Sequence, residues 1–523
     1  MKMNIIKYLF VTFVIALTAL AVYILYKDTD TKAFDMSNQN KQGIIYRDIT
    51  LGICGYDTIN PILSKNKDIQ YIDKLIFDSL IIVTKDFKLE NSLAEECSKI
   101  GPTVYLIKLK EDKIWHNGDG FTAYDVKFTI DNLKNTENDS IYKENAKNIS
   151  GVEIIDEFTV KIYLNEETPF FEYMLTFPIL SMNTYNESTL ESTTEIPIGT
   201  GNYRMVSITE EKVELEKREK NLDYKIEKIH INLYSSLVEL YRAFKEEKVD
   251  LVITNNIDYK SHTGKFGVNE NILQDREFDY IAINTRDKVL SDSNVRHAIN
   301  YAINRKEILY NVYENKYIPA SFPIGYGSYL YKDYQQETEY NIIKAKQVLI
   351  DSGWEYKDRT WVKRNSSDIL DFDLIVNENN EKRVEVAENI EKQLAQVGIK
   401  IRIRKVNDIT FENYLIYKNY DLILTGNILP LYPDISTYFN ENNFSNYYNE
   451  EVFEILNEIG YIQNQDILKE KYKRVIEIYE RDMPFISLYF NGNIVLYNSH
   501  LKGNMERSWY NIFYNIGSWY RIN

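Results

Sequence analysis

Cysteine, histidine and proline are scarce in this chain, and their scarcity limits the kinds of site that it can build. The 523 residues include 2 cysteines, 5 histidines and 10 prolines. Cys54 and Cys97 cannot form a framework of several disulfides, and the scattered histidines lack the short spacing that metal sites need. The sequence therefore predicts no metal site and no cofactor. No proline-rich linker divides the body of the chain.

An excess of positive charge is also missing. Asp and Glu number 78 against 62 Lys and Arg, which gives a formal net charge of −16. Such a chain repels phosphate backbones, so nucleic acid is not an expected partner. Apolar residues make up 44% of the chain and aromatic residues 14%, enough to build a large core, which argues against general disorder.

One apolar run is long enough to cross a bilayer. Residues 8–26 carry no charge, and as a helix they would span about 28 Å, close to the hydrocarbon thickness. Lys2 and Lys7 precede the run, which places the N terminus in the cytoplasm. We predict a signal anchor over residues 1–28, a polar tether over 29–42 and a body outside the cell membrane. The alternative is cleavage after Ala21, which would secrete the body but leave an apolar new terminus.

The hydrophobic period switches repeatedly between two and 3.6 along the body, which is typical of an α/β protein. The pattern predicts strands over residues 104–109, 159–164 and 212–217. Thr122 and Asp125 form a capping-box pattern that predicts a helix start. A β-α-β-α-β order follows, which indicates a small sheet with helices on its faces; its segments are 372–376, 381–397 (ended by Gly398), 399–403, 411–418 and 420–424.

The catalytic motifs that we sought are missing from the sequence. There is no glycine-rich phosphate loop of the Walker type and no G-x-S-x-G nucleophile elbow. Ser64 and Lys67 match S-x-x-K, but the companion K-T-G element is missing. These absences favour a binding protein over an enzyme.

Several segments, taken in order, resemble the extracellular solute-binding proteins of family 5, which serve peptide and nickel ABC importers. The strongest is Trp-His-Asn-Gly at residues 115–118, followed by Phe-Thr-Ala-Tyr-Asp-Val at residues 121–126. Weaker matches begin at Pro197, Val295, Ala345 and Tyr432. Each match is loose alone, but their shared order over roughly residues 45–500 makes the set specific.

Physical reasoning assigns structural roles to three parts of these motifs. Trp115 lies beside a helix start whose apolar face packs inward, so we expect it in the core. Gly199 and Gly201 are expected to permit a tight strand entry with positive φ. Arg296 is expected to pair with a carboxylate in the interior, because partly buried arginine is usually paired.

The resemblance implies an α/β fold of the two-lobe periplasmic-binding-protein type, in its large peptide-binding form, with a ligand cleft between the lobes. Lobe one would hold residues 43–279 and 489–523, and lobe two residues 280–488. Two chain crossings, interpreted as short apolar strands, would act as the hinge. The hinge residues are Tyr280, Ile281, Ala282, Ile283, Phe485, Ile486, Ser487 and Leu488.

The function implied by the resemblance is that of the extracytoplasmic substrate-binding component of an ABC importer. As a monomer, it would close around an oligopeptide or similar solute and deliver it to membrane permease subunits. The alternative is a membrane-anchored solute sensor or interaction module that has lost transport. The ligand-binding residues implied are Tyr56, Asp57, Thr425, Gly426, Asn427, Tyr432 and Asp434.

One departure from the family pattern leaves the ligand open. Peptide-binding relatives place an Asp, which pairs with the peptide α-amine, in the loop that matches residues 425–434. Our alignment puts Pro430 at that position, with Asp434 as a substitute four residues later. An α-ammonium buried without a carboxylate is costly. The ligand is therefore a free-amine peptide, a blocked peptide or a non-peptide solute.

Overall fold

The computed structural model describes residues 45–135, 140–185, 196–219, 223–263, 267–325, 327–331, 339–505 and 510–522. The predicted anchor over 1–28, the tether over 29–42 and the cleavage site after Ala21 lie outside these residues. Within the described ranges, no helix combines the length and apolar content needed to cross a membrane. Arg47–Tyr520 form one compact unit. Residues 45–46 pair antiparallel with residues 521–522 in a second, small unit.

Strands and helices are interspersed along the chain. The strands are Ile45–Tyr46, Asp48–Cys54, Ile81–Val83, Leu89–Asn91, Ala94–Gly101, Val104–Leu109, Ile149–Asp156, Thr159–Leu164, Tyr203–Ile208, Lys212–Lys217, Lys228–Tyr234, Leu251–Thr254, Val268–Ile283, Ile318–Pro319, Trp354–Lys357, Thr360–Lys363, Asp371–Asn377, Lys400–Val406, Leu422–Ile428, Phe485–Asn498, Leu501–Lys502 and Tyr520–Ile522. The α-helices are Lys67–Ile76, Ala123–Lys134, Lys143–Ala146, Phe171–Met174, Leu237–Lys245, Lys260–Thr263, Ser293–Ala302, Arg305–Tyr313, Ile342–Asp351, Glu381–Val397, Asp408–Tyr417, Glu450–Ile459 and Gln465–Asp482.

Asparagine begins many of these helices. Its side-chain oxygen accepts hydrogen bonds from amides of the first turn, which have no partner within the helix. This local chemistry fixes where the helices start, and the asparagine caps are Asn66, Asn304, Asn341, Asn380, Asn407, Asn449 and Asn464.

A mixed sheet of 11 described strands organises the Arg47–Tyr520 unit. Two long strands, Val268–Ile283 and Phe485–Asn498, pair antiparallel at its centre, and Ile318–Pro319 pairs with the second of them. The order across the sheet is Lys400–Val406, Asp371–Asn377, Leu422–Ile428, Val268–Ile283, Phe485–Asn498, Leu251–Thr254, Asp48–Cys54, Lys228–Tyr234, Lys212–Lys217 and Tyr203–Ile208.

Two large clusters of buried apolar side chains form the cores of this unit. The first is built between residues 49 and 273 and between residues 495 and 519. The second is built between residues 278 and 490, and Val83, Phe170 and Tyr173 join it from the first part of the chain. The exact lobe boundaries after residues 279 and 488 stay a prediction.

Most elements predicted from periodicity are present. The strands over 104–109, 159–164 and 212–217 have the predicted bounds. Thr122 and Asp125 form the capping box of helix Ala123–Lys134. Glu381–Val397 is a helix, and Gly398 follows it in the left-handed conformation with φ 93°. The helix predicted over 411–418 begins earlier, at Asp408, because Asn407 caps it.

The predicted hinge segments are not short strands. Residues 280–283 end the 16-residue strand Val268–Ile283, and residues 485–488 begin the 14-residue strand Phe485–Asn498. The pairing register of these two strands shifts between Asp279 and Tyr280. Such irregularities bend a ladder locally. The hinge role of the eight residues stays a prediction, and the register shift beside Tyr280 favours it.

The motif around Trp115 is structural, as predicted. Trp115 is buried, and its indole N–H donates to a carboxylate oxygen of Asp125 at 3.4 Å. The expected positive φ of Gly199 and Gly201 is wrong, since neither has one. A Cβ atom on Gly199 would instead lie 1.9 Å from the carbonyl oxygen of Ile76. Close approach of two backbone segments therefore requires glycine here.

Arg296 is buried, but its partners differ from the prediction. Its guanidinium donates to the carbonyl oxygens of Leu290 at 2.6 Å, Ser291 at 2.9 Å and Met483 at 3.0 Å. The C-terminal carbonyls of a helix have no partner within that helix, and Arg296 also bonds the carbonyl of Asp482, where helix Gln465–Asp482 ends. Backbone carbonyls thus take the place of the expected carboxylate.

Replacing Gly199 with alanine tests the backbone packing against Ile76. We expect Gly199→Ala to lose about 1–3 kcal/mol of unfolding free energy through overpacking, measured by urea unfolding. Gly120→Ala is the matched control, because a Cβ atom there meets nothing within 4 Å. The control is expected to change by less than about 0.5 kcal/mol. Equal losses in the two variants would contradict the packing argument.

Candidate functional site

A cavity of about 890 Å³ lies between segments of the two predicted lobes. Its lobe-one walls are helix Lys67–Ile76 and residues 141–148 and 166–176. Its lobe-two wall is formed by residues 428–432, where strand Leu422–Ile428 ends. Cavities that bind small molecules usually measure about 300–1,000 Å³. The size and the position between two segments of the chain make this cavity the candidate ligand site.

The cavity lining combines both signs of charge with tyrosine rings. Lys67 pairs with Asp275 at 2.7 Å, and Lys147 pairs with Glu144 at 3.2 Å. Tyrosine offers apolar area together with a hydroxyl. The lining therefore suits a ligand with polar groups of both charges. The cations are Lys65, Lys67, Lys74, Lys147 and Arg276; the carboxylates are Glu144, Glu166, Asp275 and Glu277; the tyrosines are Tyr71, Tyr142, Tyr173, Tyr432 and Tyr510.

Arg276 stands between this cavity and a small recess of about 30 Å³. Its Nη1 donates to the carbonyl oxygen of Leu429 at 3.0 Å, which fixes the guanidinium against the lobe-two loop. Burial lowers the pKa of Arg276, and the charge of Asp275 acts against this shift. Arginine remains protonated in proteins, so the guanidinium presents a fixed positive charge to the cavity.

Two of the predicted ligand-binding residues line the cavity or the recess. Tyr432 lines both the cavity and the recess, and Asp434 lines the recess. The Asp434 carboxylate accepts a hydrogen bond from the Ser436 amide at 2.8 Å, which holds the loop in place. Pro430, which our sequence alignment matches to the Asp of peptide-binding relatives, lines both the cavity and the recess.

Tyr56 and Asp57 line neither this cavity nor the recess. The Asp57 carboxylate accepts hydrogen bonds from the Ser64 hydroxyl at 2.8 Å and from the amides of Lys65 at 2.6 Å and Asn66 at 3.1 Å. Burial acts to raise the pKa of Asp57, but these bonds outweigh it and lower the pKa. Asp57 therefore organises a turn, and a ligand contact for either residue stays a prediction.

Thr425, Gly426 and Asn427 belong to strand Leu422–Ile428, which pairs with residues 277–283 of the long central strand. None of the three lines the candidate cavity or the recess. A Cβ atom on Gly426 would lie 2.2 Å from Asp279 Oδ1 and 2.4 Å from Arg383 Nη2. Glycine here leaves room for an ion pair, and ligand binding by the three residues stays a prediction.

That ion pair joins Asp279 and Arg383 beside the predicted hinge. The guanidinium donates to both carboxylate oxygens, at 2.7 and 2.8 Å, and the Tyr489 hydroxyl donates to Oδ2 at 2.9 Å. The side chain of Asp279 is 3% exposed. Burial acts to lower the pKa of Arg383, but the bond to Asp279 outweighs it and raises the pKa. A fully bonded carboxylate thus sits at the register shift of the central strands.

Residues 169–170 and the second lobe touch beside the cavity. The Phe170 ring stacks on Tyr432 with 5.6 Å between ring centroids, and the Phe170 amide donates to the carbonyl of Gly460 at 2.6 Å. A Cβ atom on Gly460 would lie 2.1 Å from the Cβ of Pro169. The absence of a side chain at Gly460 therefore permits this contact between the lobes.

A side compartment of about 230 Å³ adjoins the main cavity. Asp73 lines it and is 6% exposed, and its Oδ2 has no hydrogen-bond partner among the described residues. Burial raises the pKa of Asp73 well above the ordinary value. The residues that line both spaces are Gln70, Lys74, Tyr142, Thr176 and Tyr510.

Sequence reasoning did not single out Asp73 or Arg276. A signal for Asp73 exists, because Ile69, four residues before it, and Ile76, three residues after it, lie on the same face of the helix. A carboxylate within such a stripe lies on the buried side of the helix. Arg276 has no such signal, since it lies in a long strand and reaches the cavity only through the packing of a distant loop.

Metal-ligating groups are not brought together. Among the described residues, no group of three or more His, Cys, Asp or Glu side chains is placed to hold a metal ion. His116 is instead held by the backbone: the Gly199 amide donates to Nδ1 at 3.2 Å, and Nε2 lies 3.0 Å from the Gly201 carbonyl. Burial lowers the pKa of His116 to about 4, so the ring is neutral at pH 7.

Comparison with known proteins identifies one family. Residues 88–450 match the sequence profile of the bacterial extracellular solute-binding proteins, family 5. The oligopeptide-binding protein AppA of Bacillus subtilis (strain 168) is 23% identical over 523 residues, which cover 93% of this chain and 94% of AppA.

Two solved structures extend the comparison. NikZ from Campylobacter jejuni, in complex with Ni(L-His), is 25% identical with a TM-score of 0.60, and the match covers 90% of this chain and 99% of NikZ. The periplasmic murein tripeptide-binding protein MppA, in its unliganded open form, is 16% identical with a TM-score of 0.77 over 92% of this chain and 99% of MppA. The two-lobe α/β fold is confirmed.

Replacing Arg383 tests the energetic weight of the ion pair at the central strands. Arg383→Met leaves the Asp279 carboxylate buried without its partner, which typically costs about 3–5 kcal/mol. We expect that loss in urea unfolding. Arg402→Met is the matched control, since Arg402 is 42% exposed and its pairs with Asp371 and Asp373 lie at the surface. The control is expected to lose less than about 1 kcal/mol. Similar losses of unfolding free energy in the two variants would contradict a special stabilising role for the Asp279–Arg383 ion pair.

Proposed function

This chain belongs to family 5 of the bacterial extracellular solute-binding proteins, the solute-capturing components of ABC importers, and we propose that its own solute is a short peptide. The peptide occupies the cavity between the lobes and passes from there to membrane permease subunits. The chain binds without chemical conversion, in keeping with relatives that are named as binding proteins. A role as a sensor without transport has less support, because the relatives include named ABC transporter components.

The cavity lining is the observation that carries this proposal. A peptide brings a cationic amine, an anionic carboxylate and a row of backbone donors and acceptors. The cavity offers cations, carboxylates and tyrosine hydroxyls around about 890 Å³, where polar groups orient a ligand and apolar area binds it. Arg276, fixed by the Leu429 carbonyl, is the proposed partner of a ligand carboxylate, because a guanidinium can bond both oxygens of a carboxylate.

Binding is proposed to be coupled to lobe closure. A ligand that contacts both lobes only when they are closed shifts the population toward that state. The hinge would consist of residues 280–283 and 485–488, next to the register shift at Asp279. Phe170 links closure to the ligand, because its ring stacks on Tyr432 of the cavity wall.

The sequence also supports a proposal for where the protein is located in the cell. Residues 1–28 are proposed to anchor the protein, uncleaved, in the cell membrane, with the tether over 29–42 leading to an extracytoplasmic body that acts as a monomer. This arrangement holds the binding site near its permease.

A peptide library tests the nature of the solute. We expect at least one tripeptide to pentapeptide to raise the melting temperature of the full-length protein, since a ligand at 100 times its Kd adds about 2.7 kcal/mol. Leu431→Trp fills the lining and is expected to abolish the shift. Ile416→Trp is the control, because Ile416 is 66% exposed on a helix surface. If no peptide gives a shift, the peptide proposal fails; if Leu431→Trp still responds, the cavity is the wrong site.

Gly460→Ala tests closure without touching the cavity lining. Gly460 has φ −65°, which alanine adopts freely, but the new Cβ would meet Pro169 of the other lobe at 2.1 Å. Overpacking of about 1–3 kcal/mol predicts roughly a 5- to 150-fold weaker peptide affinity by calorimetry. Adding Pro169→Gly removes the clashing atom and is expected to restore most of the affinity. An unchanged affinity in Gly460→Ala would show that this contact does not accompany binding.

A further inference from the structure

We propose that the side compartment around Asp73 is a second subsite, which takes a cationic group of the solute, an ammonium or a guanidinium, with the Asp73 carboxylate as its counter-ion. This inference rests on the proposed function, because it describes which solutes the cavity prefers. It assigns to helix Lys67–Ile76 a role in selecting solutes by charge.

The compartment is placed to receive one end of a solute in the main cavity. Gln70, Lys74, Tyr142, Thr176 and Tyr510 line both spaces, so the two are neighbours with common walls. Its volume of about 230 Å³ equals the bulk volume of about seven or eight water molecules. A flexible side chain with a charged tip can enter such a space from the cavity.

The charges around the compartment favour a cation. Among its described lining residues, Asp73 and Asp78 are the carboxylates and Lys74 is the cation. Asp78 already accepts a hydrogen bond from the Thr200 hydroxyl at 3.0 Å. The Lys74 ammonium lies 3.4 Å from the centroid of the Tyr510 ring. Lys74 and Asp73 are consecutive on a helix, where neighbouring side chains diverge. The charge of Lys74 acts to lower the pKa of Asp73, but burial outweighs it.

The Asp73 carboxylate lacks what a buried carboxylate normally has. Buried charges in proteins are paired or hydrogen-bonded, because desolvation without a partner is expensive. Oδ2 of Asp73 is buried and without a hydrogen-bond partner within the described ranges. Burial accordingly raises the pKa of this carboxyl, and the approach of a cation acts in the opposite direction. A cation bound in the compartment that Asp73 lines would stabilise the ionised form of this carboxyl.

The subsite also concerns the loop of residues 425–434, which departs from the family pattern. Pro430 stands where peptide-binding relatives carry an Asp, and the Asp434 carboxylate bonds the Ser436 amide. A cationic solute group therefore finds its unpartnered carboxylate on lobe one, in helix Lys67–Ile76, and not on that loop.

Paired peptides that differ only in charge test the subsite. The probes are trialanine with one lysine at each position in turn and the same peptides with Nε-acetyllysine, titrated into the full-length protein by calorimetry. We expect wild type to bind one lysine peptide at least tenfold tighter than its acetylated partner. In Asp73→Asn that ratio is expected to fall to about one. Asp112→Asn, an exposed aspartate, is the control and should keep the wild-type ratio.

A second probe separates this inference from the peptide proposal. We expect n-pentylammonium, but not n-pentanol, to raise the melting temperature of wild type, and the shift to vanish in Asp73→Asn. If no peptide binds but this shift depends on Asp73, the subsite stands and the peptide proposal fails. If peptides bind without a lysine preference, or with one that survives in Asp73→Asn, the subsite is refuted and the peptide proposal stands. An unfolded Asp73→Asn would be replaced by Asp73→Ser under the same criteria.

Discussion

The antiparallel pairing of strands Val268–Ile283 and Phe485–Asn498 is the constraint on which the rest of the molecule depends. Both strands run from one apolar core into the other, so the two lobes share a single continuous ladder. The register of this ladder shifts twice, between Gln274 and Phe278 and between Asp279 and Tyr280, and such irregularities bend a ladder locally. At the second shift the buried Asp279 carboxylate accepts hydrogen bonds from Arg383 and Tyr489, so it is not left without partners.

The binding cavity follows from this arrangement. Because the lobes are joined through the ladder, the loop at residues 428–432 faces helix Lys67–Ile76 across a space that neither lobe fills. Tyr432 then has two neighbours, the cavity on one side and the Phe170 ring on the other. Gly460 allows Pro169 to approach closely beside this stacked pair. The proposed solute capture and the proposed closure would therefore involve the same small group of side chains.

Buried charged side chains have two different roles in this protein. Asp279 and Arg296 are buried and hydrogen-bonded, Asp279 by the partly buried Arg383 and by Tyr489, and Arg296 by backbone carbonyls. Asp73 is buried with a free oxygen beside an open space. A satisfied buried group contributes to the fold, whereas an unsatisfied one at a cavity is available to a ligand. The charged groups at the central sheet therefore have a structural role, whereas Asp73 is the charged group that we propose selects the solute.

Local patterns in the sequence determined the elements and the family. Alternation of apolar residues predicted strands such as Val104–Leu109, and the Thr122–Asp125 capping box predicted a helix start, because both depend on neighbours in the chain. The sequence also singled out Tyr432, which lines the candidate cavity, and its contact with a ligand stays a prediction. Tertiary structure alone decided that Asp57 supports a turn, that Gly426 makes room for an ion pair, and that Arg276 and Asp73 face cavities. Those roles depend on atoms from segments distant in the chain, for which periodicity and caps carry no information.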